Sequence, residues 1–426
     1  MSASKLSLVF FLLLGAAGLQ SSTMLIPMDE SQTDHLKAYG ITYWVLDNNV
    51  DAWWLLNYRG GSFAFQHSRA FERECLTRGV KYEVIPDAKF NAILEEINHP
   101  EQNMDAMKLE KAPKIAVYTP EFNFREGTKV QPWDDAVTLV LTYAEIPYET
   151  VYDTEVLNDQ LAQYEWLHLH HEDFTGQFGR FYRSFHTASW YRRQVAYQEE
   201  LAAANGFEKV SQLKLAVVKK VREYVGGGGF MFAMCSATDS FDIALAADGV
   251  DICAPYYDGD PIDPGAQSKL DFSRTFAFEN FQLQRNPLEY EFSSIDHNPR
   301  RVAQNEDYFS LFEFSAKWDP VPTMLTQNHT RTVKGFMGQT TAFRNKHIKS
   351  DVLVLGETKP ADEARYLHGN FGEGFFSFYA GHDPADYRHL VNDPETDLSL
   401  HPNSPGYRLI LNNILFPAAK KKKRKT

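Results

Sequence analysis

Hydrophobic and polar positions settle into a regular alternation of elements from Lys114 onward. Ile115-Ala-Val-Tyr-Thr reads as a short apolar strand, residues 134–144 carry Ala, Val and Leu at helical spacing, and a β-branched strand returns over 148–152. The pattern continues with a helix over 156–163, the strand Trp166-Leu-His-Leu-His, a helix over 213–225 and a strand over 230–234. Strands alternating with crossover helices predict an α/β fold with a doubly wound, mostly parallel sheet. Such sheets gather their sites at the carboxyl ends of the strands.

Outside this stretch the pattern is less regular. Residues 42–46, 53–57 and 80–85 read as strands around a helix over 67–78, forming either a small α/β extension or more of the main sheet. A charged, weakly patterned stretch over 104–112 marks a boundary. Residues 258–346, dense in Pro, Asp, Asn and aromatic side chains, read as a long insertion with short strands such as 288–292, capping the strand ends. Residues 351–356 are expected to resume the parallel strands. A buried strand over 374–379 follows, and a helix over 405–415 closes the domain. The organisation is a leader over 1–22, an N-terminal α/β extension over 23–111, a main domain over 112–417 and a basic tail over 418–426.

Composition adds three constraints. With 43% hydrophobic and 14% aromatic residues among 426, the chain can bury a large, ring-rich core. Lys5, the apolar run Leu6 to Leu14 and the small residues after it have the form of a secretory signal, too short for a transmembrane anchor, so an exported chain, periplasmic or secreted, is expected. A net charge of −13 argues against nucleic acid as a partner, while the tail Lys420 to Lys425 either touches anionic surfaces or stays solvated. Three cysteines allow a Cys75–Cys253 disulfide with Cys235 left over, or three reduced thiols.

The leading candidate chemistry centres on Cys235. It ends the apolar run Gly226-Gly-Gly-Gly-Phe-Met-Phe-Ala-Met and precedes a helix-like stretch, the outline of a nucleophile elbow. His382, in Gly381-His-Asp-Pro after the 374–379 strand, would be the base, with Asp383, Asp386 or Glu172 orienting the ring. The backbone of Ser236 and of His171 would hold an oxyanion, in a hydrolase acting on an amide or related acyl group of a small molecule, peptide or glycan. The alternative is a buried small thiol in a binding protein that lacks the reaction, its aromatic insertion either stacking on glycan or packing the insertion down.

A second constellation is His168-Leu-His170-His171-Glu172-Asp173. Alternation along a strand puts His168 and His170 on one face, while His171, Glu172 and Asp173 emerge at its end. His168, His170, His171 and Asp173, with Cys235 and His382, could bind zinc with an open water position for hydrolysis. The other reading is a polar loop start with hydrogen-bonded histidines.

The order of elements leading to the glycine-rich turn and Cys235 resembles the class I glutamine amidotransferase-like superfamily, which implies a flavodoxin-like fold. Gly372-Glu-Gly-Phe-Phe-Ser-Phe-Tyr-Ala-Gly-His382 and Asn412-Asn-Ile-Leu-Phe are similar to its trehalose-utilisation (ThuA-like) branch. Leu55-Leu-Asn-Tyr-Arg-Gly-Gly-Ser-Phe, Leu167-His-Leu-His-His-Glu-Asp-Phe and Gly335-Phe-Met-Gly-Gln-Thr-Thr-Ala-Phe resemble an exported family from Bacteroidetes-type bacteria labelled asparagine synthetase B. Class I amidotransferases have Glu two residues after the histidine, where this chain has Pro384, and ThuA-like proteins tend to have histidine in place of Cys235. A synthetase activity is not expected, because Ser236-Ala-Thr-Asp-Ser lacks the glycines that let backbone amides approach phosphate.

Overall fold

The computed structural model describes residues 22–123, 127–130, 135–296, 302–389 and 393–419. Residues 1–21 of the expected leader, and the basic tail from 420 on, lie outside them. Five strands, β1 (Ser22–Ile26), β2 (Ala52–Leu56), β3 (Ser62–Gln66), β4 (Glu83–Pro86) and β5 (Asp105–Leu109), form an entirely antiparallel sheet in the order β4-β1-β3-β2-β5. The helices His35–Asp47, Arg69–Arg78 and Asp87–Asn98 accompany it. Residues 42–46, expected as a strand, belong to the first of these helices, which is buried along most of its length and so shows little polar periodicity. The supposed boundary at 104–112 contains β5, whose alternating burial is obscured in the sequence by Asp105 on its covered face and Lys108 on its open one.

The main sheet is built from β6 (Ile115–Tyr118), β9 (Glu149–Val151), β10 (Trp166–His170), β11 (Phe230–Met234), β12 (Tyr308–Leu311), β13 (Thr332–Lys334), β14 (Phe343–Arg344), β15 (Leu353–Thr358), β16 (Glu363–Phe371) and β17 (Gly374–Tyr379), while β7 (Phe122–Asn123) and β8 (Thr128–Lys129) form a small separate ribbon. Its order is β13-β12-β15-β16-β17-β11-β10-β6-β9, with β14 paired to β16. The half from β17 to β9 is parallel and the half from β13 to β17 antiparallel.

This corrects the expected fold class: the sheet is mixed, not mostly parallel and flavodoxin-like, and the N-terminal sheet is separate and antiparallel. The cause is connection length. Only Gly372 and Glu373 join β16 to β17, and Gly372 takes φ 59°, so the chain turns back on itself. A parallel neighbour would need a crossover of a dozen or more residues. Residues 359–362 likewise make β15 and β16 antiparallel, so 353–358 does not resume the parallel run. Within the insertion, residues 288–292 form no strand; β12, β13 and β14 supply its sheet pairing.

Two cores involve the main sheet, and a third, smaller one packs Leu25, Leu55, Ala64 and Ile85 of the N-terminal sheet against Phe90, Ile93 and Ile97 of the helix Asp87–Asn98. Of the first two, one runs from the N-terminal sheet through Trp54 and Phe63 to Trp166, Phe232 and Met234 of the main sheet and the helix Pro405–Leu415, so the two sheets share a continuous apolar interior. The other lies across the main sheet, where Leu167, Leu169, Met231 and Ala233 meet the helices Val210–Gly226 and Ser236–Ala246. The insertion is tied to the latter helix by Asp242, whose carboxylate accepts the amides of Phe276, Ala277 and Phe278 at 2.7–2.9 Å. Among the described residues no helix is long and apolar enough to cross a membrane.

Candidate functional site at the parallel strand ends

In the parallel register His170, Met234 and Tyr379 stand level on β10, β11 and β17. The residues just beyond them therefore leave the sheet at one rim, which collects His171, Cys235 and His382. Cys235 has the expected elbow backbone, φ 53° and ψ −137°, between β11 and the helix Ser236–Ala246. Its sulfur, however, is covered. Cys235 is 1% exposed, the Gln339 amide donates to the sulfur at 3.2 Å, and a Cβ on Gly338 would lie 3.0 Å from it. Burial pushes the thiol up to about 11, against the pull of the Thr340, Gln339 and Ser236 amides.

The covering segment is firmly held. The Gly381 amide donates to Thr340 O at 2.8 Å and the His382 amide to Met337 O at 2.9 Å. Gln339 Nε2 donates to Gly179 O, and the buried Arg365–Asp307 pair reaches Thr341 O through the guanidinium. Beneath it, Ser236 Oγ and Asp239 Oδ2 are buried with no hydrogen-bond partner among the described residues. Burial raises the Asp239 carboxyl to about 7, against the opposing Thr340 hydroxyl.

The histidines converge beside this segment. His170 lies between Asp135, whose Oδ2 is 2.5 Å from Nδ1, and His382, whose Nδ1 is 3.0 Å from His170 Nε2. His171 stacks on His170 with centroids 3.7 Å apart and lies 4.0 Å from the His382 ring. One nitrogen from each of His170, His171 and His382 falls within a 4.8 Å span, with His170 buried, His382 half-buried and His171 exposed. Two adjacent strand residues normally point to opposite faces. A φ of 53° at His171 ends the strand and allows its ring to fold back over His170.

Asp135 organises this cluster from the N-cap of the helix Ala136–Tyr143. Its Oδ1 accepts the Val137 and Thr138 amides, leaving Oδ2 for His170 and for His168 Nε2 at 3.0 Å. Burial would raise this carboxyl, yet the two imidazoles, His170 first, hold it well below the usual carboxylate range. His168 spans Asp135 and Phe232 O inside the sheet. Burial lowers His170 despite Asp135; with Nδ1 donating to Asp135, Nε2 is the nitrogen that faces His382 Nδ1.

The carboxylates expected beside His382 are engaged elsewhere. Asp383 accepts from Tyr407 OH, Thr396 Oγ1 and the Ala385 and Asp386 amides, while Asp386 lies 3.4 Å from His389 Nδ1. Asp173 closes a turn through the Thr175 and Gly179 amides. Glu172 points into the protein, where its Oε1 is 2.7 Å from Lys214 Nζ. Burial raises Glu172 to about 7 although Lys214 opposes it. Burial disfavours the ammonium, but Asp153 and Glu172 hold Lys214 well above the ordinary lysine range.

All three cysteines are free and buried, which leaves the Cys75–Cys253 bridge unformed. Cys253 belongs to a further group with Asp251 and Asp258, where the Lys209 ammonium already lies 2.7 and 3.0 Å from the two carboxylates. Asp135 and Lys214 were missed in the sequence although both left a signal. Asp135 precedes an apolar helix as an N-cap does, and Lys214 interrupts the stripe of Val210, Val217, Val221 and Val225.

No protein-family model and no curated protein matches the chain. Two solved structures from Salmonella typhimurium align over 72% of this chain and 100% of their own: Cytoplasmic Protein STM3548, 8% identical with a TM-score of 0.35, and Cytoplasmic Protein STM1381, 10% identical with 0.36. A GH42 beta-galactosidase, Gan42B, aligns over 64% of this chain and 28% of its own at 13% identity and a TM-score of 0.27.

Proposed function

We propose that the chain is a metal-dependent hydrolase of an amide or related acyl substrate, with a zinc-like ion held by His170, His171 and His382. The observation that carries this reading is the Asp135–His170–His382 series at 2.5 and 3.0 Å, with a ring nitrogen of His171 inside the same 4.8 Å span. A carboxylate that fixes the tautomer of a ligating imidazole is the usual support of a metal site. Three imidazoles leave a fourth position for water, which the ion would acidify and which the solvent-exposed side at His171 can supply. Tetrahedral ligation would place the nitrogens about 3.3 Å apart, so the His170–His382 pair would open by a few tenths of an ångström and the His171 ring would tilt out of its stack on His170.

A second reading, with Cys235 as nucleophile, is favoured by the elbow backbone. It requires the Gln339 segment to withdraw from a sulfur that burial holds in the thiol form. One experiment separates the two. The full chain, stripped with chelator and restored with zinc, is assayed on an activated ester such as p-nitrophenyl acetate beside His382→Ala and Cys235→Ala. Chelator-sensitive hydrolysis that His382→Ala abolishes and Cys235→Ala retains is the expected result. Chelator-resistant hydrolysis lost in Cys235→Ala would overturn the metal reading.

A further inference from the structure

We infer that the buried Glu172–Lys214 pair is a positioning device that fixes His171 as the third metal ligand. The inference rests on the proposed metal reading and concerns how that site is assembled. A residue with a Cβ keeps φ 53° only when its surroundings hold it there, and the side chain next in line is where that hold is found. Glu172 turns inward and meets Lys214, which has no exposure at all. Lys214 is itself fixed by both oxygens of Asp153 at 3.0 and 3.1 Å and by the hydroxyls of Tyr118 and Tyr152 at 3.1 and 3.2 Å.

The backbone is pinned at the same place. Ser240 Oγ, on the helix that follows Cys235, donates to Glu172 O at 3.0 Å, and Asp173 closes the turn immediately beyond. With Glu172 drawn inward from both its side chain and its carbonyl, the preceding residue has to turn outward, and its ring lies over His170. A lysine this deep, balanced by two carboxylates, needs no partner at the rim to be accommodated. What the pair adds at the rim is a defined direction for His171.

The test is a cobalt(II) titration of the metal-free full chain, read by competition with a chelator and by the visible absorption bands that report coordination geometry. Glu172→Gln, which preserves volume, is expected to weaken cobalt binding 10- to 100-fold and to change the bands. Ser240→Ala, a milder variant that leaves the ion pair intact, is expected to weaken it several-fold. In a His171→Ala background Glu172→Gln should cause no additional loss, which a general effect on folding would not reproduce. Wild-type affinity and spectrum in Glu172→Gln, or a full additional loss in the His171→Ala background, overturns this inference alone. A wild-type chain that binds no cobalt overturns both it and the metal reading.

Discussion

Asp135 shows how much one side chain decides at this rim. Its two oxygens divide their work, one capping a helix and the other accepting from His170 and His168, so the tautomer of His170 is set by the fold rather than by the ion. Asp135→Asn can retain the cap through its carbonyl oxygen, but its amide nitrogen then faces His170. The ring answers by accepting at Nδ1 and carrying its proton on Nε2, where the ion needs a lone pair. Metal affinity measured by chelator competition is expected to fall about 10- to 100-fold with the fold retained. Unchanged affinity would mean that Asp135 serves the helix only. His168, His170, His171 and His382 were legible as chemistry in the sequence because histidines at a strand end are uncommon ornaments of a core. Their organiser was not, since an aspartate ahead of an apolar helix is explained by capping alone.

At the level of elements, the strands were legible wherever burial on both faces gives an unbroken apolar run, as in 166–170, 230–234 and 374–379, each of which matches β10, β11 and β17. Direction was not legible from the runs themselves. It was set by the two-residue link at Gly372 and Glu373, a hairpin signal that carries more information about topology than the strands it joins. The helix His35–Asp47 hid for the opposite reason, being buried nearly all round and rich in β-branched and aromatic residues. The insertion has its own element-scale anchor in Asp242. Removing this carboxylate in Asp242→Ala leaves the Phe276, Ala277 and Phe278 amides without their acceptor, at an expected cost of roughly 3–5 kcal/mol. Limited proteolysis should then cut first in the stretch around 258–296, whereas unchanged protection there would show that aromatic packing alone secures the insertion.

For the whole molecule, buried carboxyls and histidines make opposing contributions to the pH dependence of stability: burial lowers His35, His329 and His368 to about 4, 3 and 4, which favours the folded state as pH rises. Asp239 and Asp242 are raised by burial to about 7 and about 6, so between the unfolded carboxylate range and those values the folded state binds more protons than the unfolded one. The contribution of these two carboxyls to stability therefore falls as pH rises from about 4 to 7, the reverse of the contribution from a paired carboxylate such as Asp135. Asp239 contributes at most about 4 kcal/mol to this loss. Thermal melts are expected to show Asp239→Asn raising Tm relative to the parent chain more at pH 8 than at pH 5.5; an equal change at the two pH values would place the titration elsewhere.

The shared apolar interior makes the rim a property of the entire chain, because the helix Pro405–Leu415 and the N-terminal sheet support the face from which His168 and His170 project. The most direct test of the metal centre is anomalous diffraction at the zinc edge from crystals of the full chain supplied with zinc. The expected result is a single strong peak about 2.0–2.1 Å from one nitrogen each of His170, His171 and His382. No peak among these rings, or zinc found only beside Asp251, Cys253 and Asp258, would contradict it.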